Sequence, residues 1–169
     1  MERITDWTYA EAIGRAMELV GPNIMRLLQH VQFLCGVSPA YAGLHHAGVV
    51  TSVYGSERVD YNTRAHVSWG DMCDDADRRT TVVLPSHCHA RSDTIVHELA
   101  HCLDEVLGFT HTATPNCAYA RLHRMEAFAM AFEARYFWIC DMGDDYSAAN
   151  DIAARDKATV ALFDALEAA

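Results

Sequence analysis

The run His97-Glu98-Leu99-Ala100-His101 sets two imidazoles four residues apart, with a carboxylate beside the first. On a helix, residues i and i+4 share a face, so both rings can bind one Zn²⁺. Glu98 then lies to one side, where its carboxylate can accept a proton from a zinc-activated water whose pKa is lowered to about 7. The chemistry implied is metal-assisted hydrolysis. The competing reading is an ordinary helix with two half-buried histidines, in a chain that carries ten of them against 13 Lys plus Arg. Context favours the metal: Ile95, Val96, Leu99, Ala100 and Leu103 give the stretch an amphipathic pattern, and the apolar run Thr81–Leu84 precedes it.

A catalytic zinc takes a third protein ligand and keeps a fourth position open. The longer signature that supplies a third histidine from the same segment is excluded, because Asp104 and Leu107 stand where it requires Gly and His. The remaining source is a carboxylate on a following helix, with Glu126 and Glu133 as candidates. A loop over residues 109–113 would let that helix return antiparallel, so that Glu126 meets the histidine face.

The segment from Tyr119 to Phe132 fits a pattern Y-x6-E-x-F-A-x-A-F, through Tyr119, Glu126, Phe128, Ala129, Ala131 and Phe132. Together with His97-Glu98-x-x-His101-x-x-Asp104, it resembles the catalytic domain of anthrax lethal factor, which the small bacterial Pro-Pro endopeptidases share. The resemblance covers about residues 80–165, including Phe163 of the terminal helix, and is strongest in the two helices. It implies a zincin-like, gluzincin-type peptidase with His97, His101 and Glu126 on one zinc, Glu98 as general base and Tyr119 assisting the transition state. On a continuous helix Tyr119 and Glu126 would be two turns apart on one face, and a phenol there can donate to a developing oxyanion. Family members often carry Glu four residues after the ligand Glu. Here that position is Met130, so an orienting hydrogen bond is missing or comes from elsewhere.

Other polar residues have weaker signals. Asp104, one turn beyond His101, could orient a ligand imidazole or be a solvated helix residue. His123, between Tyr119 and Glu126, could contact substrate or water, replace the missing partner, or be structural. His87 and His89 could border a cleft in which Thr81–Leu84, read as an edge strand, pairs with an extended peptide. His45 and His46 have no interpretable ligand spacing. The acidic groups Asp74, Asp75, Asp77 and Asp144, Asp145 read as solvated turns.

The elements that must position these groups follow from periodicity. Helices are expected at Thr8–Val20, closed by Gly21-Pro22, and at Pro22–Leu34. Short strands are expected at Val49–Tyr54, Ala65–Trp69 and Thr80–Leu84. Ser92 would cap a helix over Asp93–Leu107 that Gly108 ends. Thr114-Pro115 would open a long helix reaching Cys140, with Phe137 and Trp138 on its apolar stripe, and a terminal helix would cover Ala148–Leu166. The fold class is α+β, a small twisted sheet packed on long helices. A single domain is expected over residues 1–169, with N-terminal helices and strands in 1–79 and the edge strand, histidine helix, glutamate helix and terminal helix in 80–169.

Composition bounds the partners. Of the 169 residues, 51% are hydrophobic and 21% charged, a globular balance, and the formal net charge of -10 argues against a nucleic-acid surface. The N-terminus lacks a basic region before an apolar core, and no apolar run is long enough for a bilayer, so neither leader nor membrane contact is expected. That leaves the cytoplasm or a phage particle as the expected location. Six widely spaced cysteines without a C-x-x-C pair read as buried reduced thiols. The expected activity is a zinc metalloendopeptidase acting on a peptide or protein. The rivals are a zinc-retaining structural module, for example in a phage particle or larger assembly, and a toxin-like effector protease.

Overall fold

A computed structural model describes residues 8–37, 65–68, 80–85, 91–137 and 155–169. Helix α1 (Tyr9–Val20) starts where Thr8 and Glu11 form a reciprocal capping box, the Thr8 hydroxyl accepting from the Glu11 N–H and the Glu11 carboxylate from the Thr8 N–H. Its buried residues Ala12, Ala16 and Val20 repeat every fourth position, a narrow stripe of small side chains that lets α1 lie close to its neighbours.

Helix α2 (Pro22–Leu27) is shorter than the sequence pattern suggests. The expected helix breaks into a turn over residues 28–30, and its last three residues, Gln32 to Leu34, belong instead to strand β1 (Gln32–Val37). Phe33, Leu34 and Cys35 pair in parallel register with Val82, Val83 and Leu84 of β3 (Thr81–Pro85). A short apolar run suits either state, and here the distant partner decides. Gly36, at φ 67, allows the register shift between Cys35 and Val37.

Strand β2 (His66–Ser68) pairs antiparallel with β3 on the other side, giving the order β1-β3-β2. This corrects the reading of Thr81–Leu84 as an edge strand. Val82, Val83 and Leu84 are all buried without alternation, as a strand covered on both faces must be. Among the described residues, the edges belong to β1 and β2.

Helix α3 (Ser92–Val106) begins one residue earlier than expected; Ser92 is a buried first-turn residue, and Arg91 holds the cap position without a side-chain cap. Asp93 in the first turn complements the helix dipole and pairs with Arg91. Gly108 at φ 69 follows the helix end, as anticipated, and Phe109 at φ 55 continues the left-handed exit.

The single long helix from Thr114 to Cys140 is not formed. The chain runs without helix over residues 110–116, makes a 3₁₀ turn at Tyr119–Arg121, and starts α4 (Arg124–Tyr136) only after His123, which is extended at φ -155, ψ 150. Thr114 and Asn116 are held by distant groups: the Thr114 N–H donates to Asp156 at 2.6 Å, and Asn116 Nδ2 to the Met130 carbonyl at 3.3 Å. Those contacts fix an extended entry that local propensity does not reveal.

Helix α5 (Lys157–Ala168) is capped by Asp156, and its Phe163 meets Phe128 and Phe132 edge-to-face at 5.4 and 5.1 Å between centroids. Its Glu167 accepts from Arg135 and Tyr136 of α4, locking the two helices at their far ends. Helix α4 is thereby buried over Glu126–Phe132, between α3 and α5. Five helices and a three-stranded sheet among the described residues make the chain α+β, as expected.

No described helix is long and apolar enough to cross a membrane. Cys35, Cys102 and Cys117 are free thiols, the last two buried. The expected strand at 49–54, the start of the terminal helix at 148–154, Cys73, Cys88, Cys140 and Trp138 lie outside the described residues. So do His45, His46, His87, His89 and the acidic groups at 74–77 and 144–145.

Candidate metal centre

Helix α3 places His97 and His101 on one face, one turn apart, with their rings edge-to-face at 4.9 Å between centroids. Helix α4 packs on α3 and brings Glu126, in its first turn and 1% exposed, against both rings. Glu126 Oε2 lies 3.1 Å from His97 Nε2, and Oε1 lies 3.5 Å from His101 Nε2. One ligand atom from each of the three residues can be chosen so that all lie within 4.8 Å of one another. Donors about 2.0–2.1 Å from a tetrahedral zinc stand about 3.3 Å apart, a spacing that the 3.1 and 3.5 Å contacts of Glu126 already approach, while the widest pair would have to draw together to enclose an ion. The donor set, two imidazoles and one carboxylate, is also the chemistry zinc prefers in a site with an open position.

The electrostatics of these residues point the same way. Burial would push the His97 imidazole down. The carboxylates of Glu126 and Glu133 on its two nitrogens, with Glu98 alongside, hold it well above its usual value. Burial would push Glu126 up, but its hydrogen bonds to His101 and His97 keep it far below the usual carboxylate range. A 1% exposed carboxylate held as an anion needs cationic compensation. A proton on the imidazoles or a divalent ion between them would supply it.

Glu133 lies beside the three clustered residues and is not one of them. Its Oε2 lies 3.1 Å from His97 Nδ1, opposite the ring nitrogen that faces Glu126. Were a metal to take Nε2, Nδ1–H would donate to Glu133, an arrangement that fixes tautomer and ring angle. Met130 is buried, and the contact to His97 comes from Glu133 one turn further along α4. Glu126 and Glu133 are two turns apart on one face, a signal present in the sequence that composition alone does not rank.

Glu98 is buried on α3 next to His97, and burial raises its carboxyl above the usual value, with the two histidines opposing. A raised pKa suits a group that must take up a proton and release it again. Tyr119 also reaches the site, its ring 6.1 Å from that of His97. It does so from the 3₁₀ turn and not from the same helix as Glu126.

Two candidates take other positions. Asp104 is fully buried, but its partner is Arg124, with a 2.9 Å contact from Nη2 to Oδ2, so it does not hold an imidazole. The Nδ1 atom of His101 is buried with no hydrogen-bond partner among the described residues. His123 caps α4, its Nδ1 accepting from the Met125 N–H at 3.2 Å. An intrahelical position facing substrate, as the continuous-helix reading supposed, does not exist for it. Arg124 had no sequence signal, since one arginine on a helix normally reads as solvated. Compared with protein-family models, with curated proteins and with solved structures, the chain finds no match.

Proposed function

We propose that the chain is a zinc metalloendopeptidase of the H-E-x-x-H plus glutamate type, with a zincin-like arrangement similar to the lethal-factor catalytic domain. The observation that carries the reading is the convergence of His97, His101 and Glu126 within 4.8 Å, with Glu98 buried next to the first ligand. His97, His101 and Glu126 would hold the ion, and Glu133 orients His97 through Nδ1. When bound, zinc would supply Lewis-acid polarisation of a carbonyl and of water. Glu98 takes the proton from the attacking water and passes it to the leaving amine, the role its raised pKa fits. The Tyr119 hydroxyl keeps its proton and donates a hydrogen bond to the oxyanion as the carbonyl becomes tetrahedral.

With β3 in the middle of the sheet, an extended substrate would pair with β2, the described edge strand that lies antiparallel to β3 and against α3. A diverse peptide library incubated with zinc-loaded protein tests the reading, with the chelator-treated protein as control. Cleavage that appears only with zinc supports the peptidase. Stoichiometric zinc with an untouched library would favour the non-enzymatic module.

A further inference from the structure

The first turn of α4 is fastened to the last turns of α3 by an ion pair, buried on its Asp104 side and partly exposed on its Arg124 side, outside the three clustered residues. Arg124 Nη2 and Nη1 reach Asp104 Oδ2 and Oδ1 at 2.9 and 3.4 Å, a fork on a carboxylate that is 0% exposed. Nη1 also donates to the His111 carbonyl at 2.5 Å, and the guanidinium lies 5.7 Å above the Phe109 ring. Phe109 is held there by the left-handed exit from α3, its N–H bonded to the Asp104 carbonyl at 2.8 Å. One side chain therefore engages the end of α3 and the segment that leaves it.

The positions of the two partners give this pair its significance. Asp104 lies one turn beyond His101, and Arg124 two residues before Glu126. An apolar contact would hold the helices together as well as a buried ion pair does, and often better. A two-pronged guanidinium–carboxylate contact adds direction, fixing both separation and rotation. At the start of α4 that rotation decides whether Glu126 faces the two imidazoles.

We propose that Asp104 and Arg124 are positioning residues that aim the ligand Glu126 at His97 and His101, so that breaking the pair weakens zinc binding beyond any loss of fold stability. This rests on the reading of the three residues as a zinc centre. The experiment measures zinc affinity by competition with a chromophoric chelator, and the urea midpoint of the metal-free protein, on the full chain. The variants are Arg124→Met, Arg124→Lys, Asp104→Asn and, as a packing control, Phe163→Leu.

Arg124→Met is expected to lower zinc affinity about 10–100-fold. Arg124→Lys, which keeps the charge but not the fork, should recover only part of it. Phe163→Leu should lower the urea midpoint and leave affinity within about twofold, the readout a merely structural pair would share. Should Arg124→Met not fold, Asp104→Asn, which keeps the shape, takes its place with the same expected direction. Wild-type affinity in the folded pair variants, alongside stoichiometric zinc on the wild type, overturns the positioning role alone. A wild type that takes up no zinc overturns the centre and this role together.

Discussion

Glu133 Oε2 sits 3.1 Å from His97 Nδ1, across the ring from the nitrogen that faces Glu126. One helix thus grips one imidazole at both nitrogens, and the two carboxylates have different duties. Glu126 faces two rings and lies deepest; Glu133 faces one ring and is more exposed.

The two duties separate in metal content. Glu126→Ala should abolish stoichiometric zinc, because it removes one of three donors. Glu133→Ala should keep one zinc per chain at saturation while lowering affinity about 10–100-fold, the usual loss for an orienting partner. Metal analysis with chelator competition checks both. The reverse pattern would make Glu133 the ligand.

Tyr119 is predicted to act on the transition state. Tyr119→Phe should lower kcat about 10²–10³-fold, the usual cost of removing one oxyanion donor, with zinc affinity unchanged. Its ring lies 6.1 Å from that of His97, beside the three clustered residues. Loss of zinc from this variant would instead make Tyr119 a structural wall of the site.

The cap of α5 should show in acid. Burial pushes the Asp156 carboxyl up, but donors from Thr114 and Thr159 together outweigh it and pull it down to about 2 from its ordinary 3.8. A carboxyl lowered on folding stabilises above its unfolded value, and that stability is lost as pH falls through the folded one. Asp156→Ala should therefore cost about 2 kcal/mol near neutrality, with the gap to wild type closing between about pH 4 and pH 2. Urea midpoints across that range check it; a constant gap would deny the carboxylate its role.

The core between α4 and α5 should be the costliest place to cut. Phe163 is 1% exposed and touches both Phe128 and Phe132. Phe163→Ala should destabilise by about 3–5 kcal/mol, the range for emptying a packed aromatic site. A change under 1 kcal/mol would mean that α5 is not docked as described.

The parts legible in the sequence were those set by local spacing. The histidine pair, the apolar stripe of α3 and the Gly108 exit all depend on residues within a turn or two of one another. Strand β1 was misread because Phe33-Leu34-Cys35 fits either period, and its partner Val82-Val83-Leu84 lies far along the chain. The broken approach to α4 escaped for the same reason: Thr114 and Asn116 answer to Asp156 and Met130. Tyr119 reached the site by a turn and not by the expected helix. The choice between Glu126 and Glu133, and the pairing of Asp104 with Arg124, required the packing of two helices.

The central claim is that Glu98 moves the proton in a zinc-dependent hydrolysis. Zinc-loaded wild type and Glu98→Gln should be compared on the same peptide library, with zinc content measured on both. Equal zinc, with cleavage reduced about 10²–10⁴-fold in Glu98→Gln, is the predicted result. Equal zinc with undiminished cleavage would contradict it.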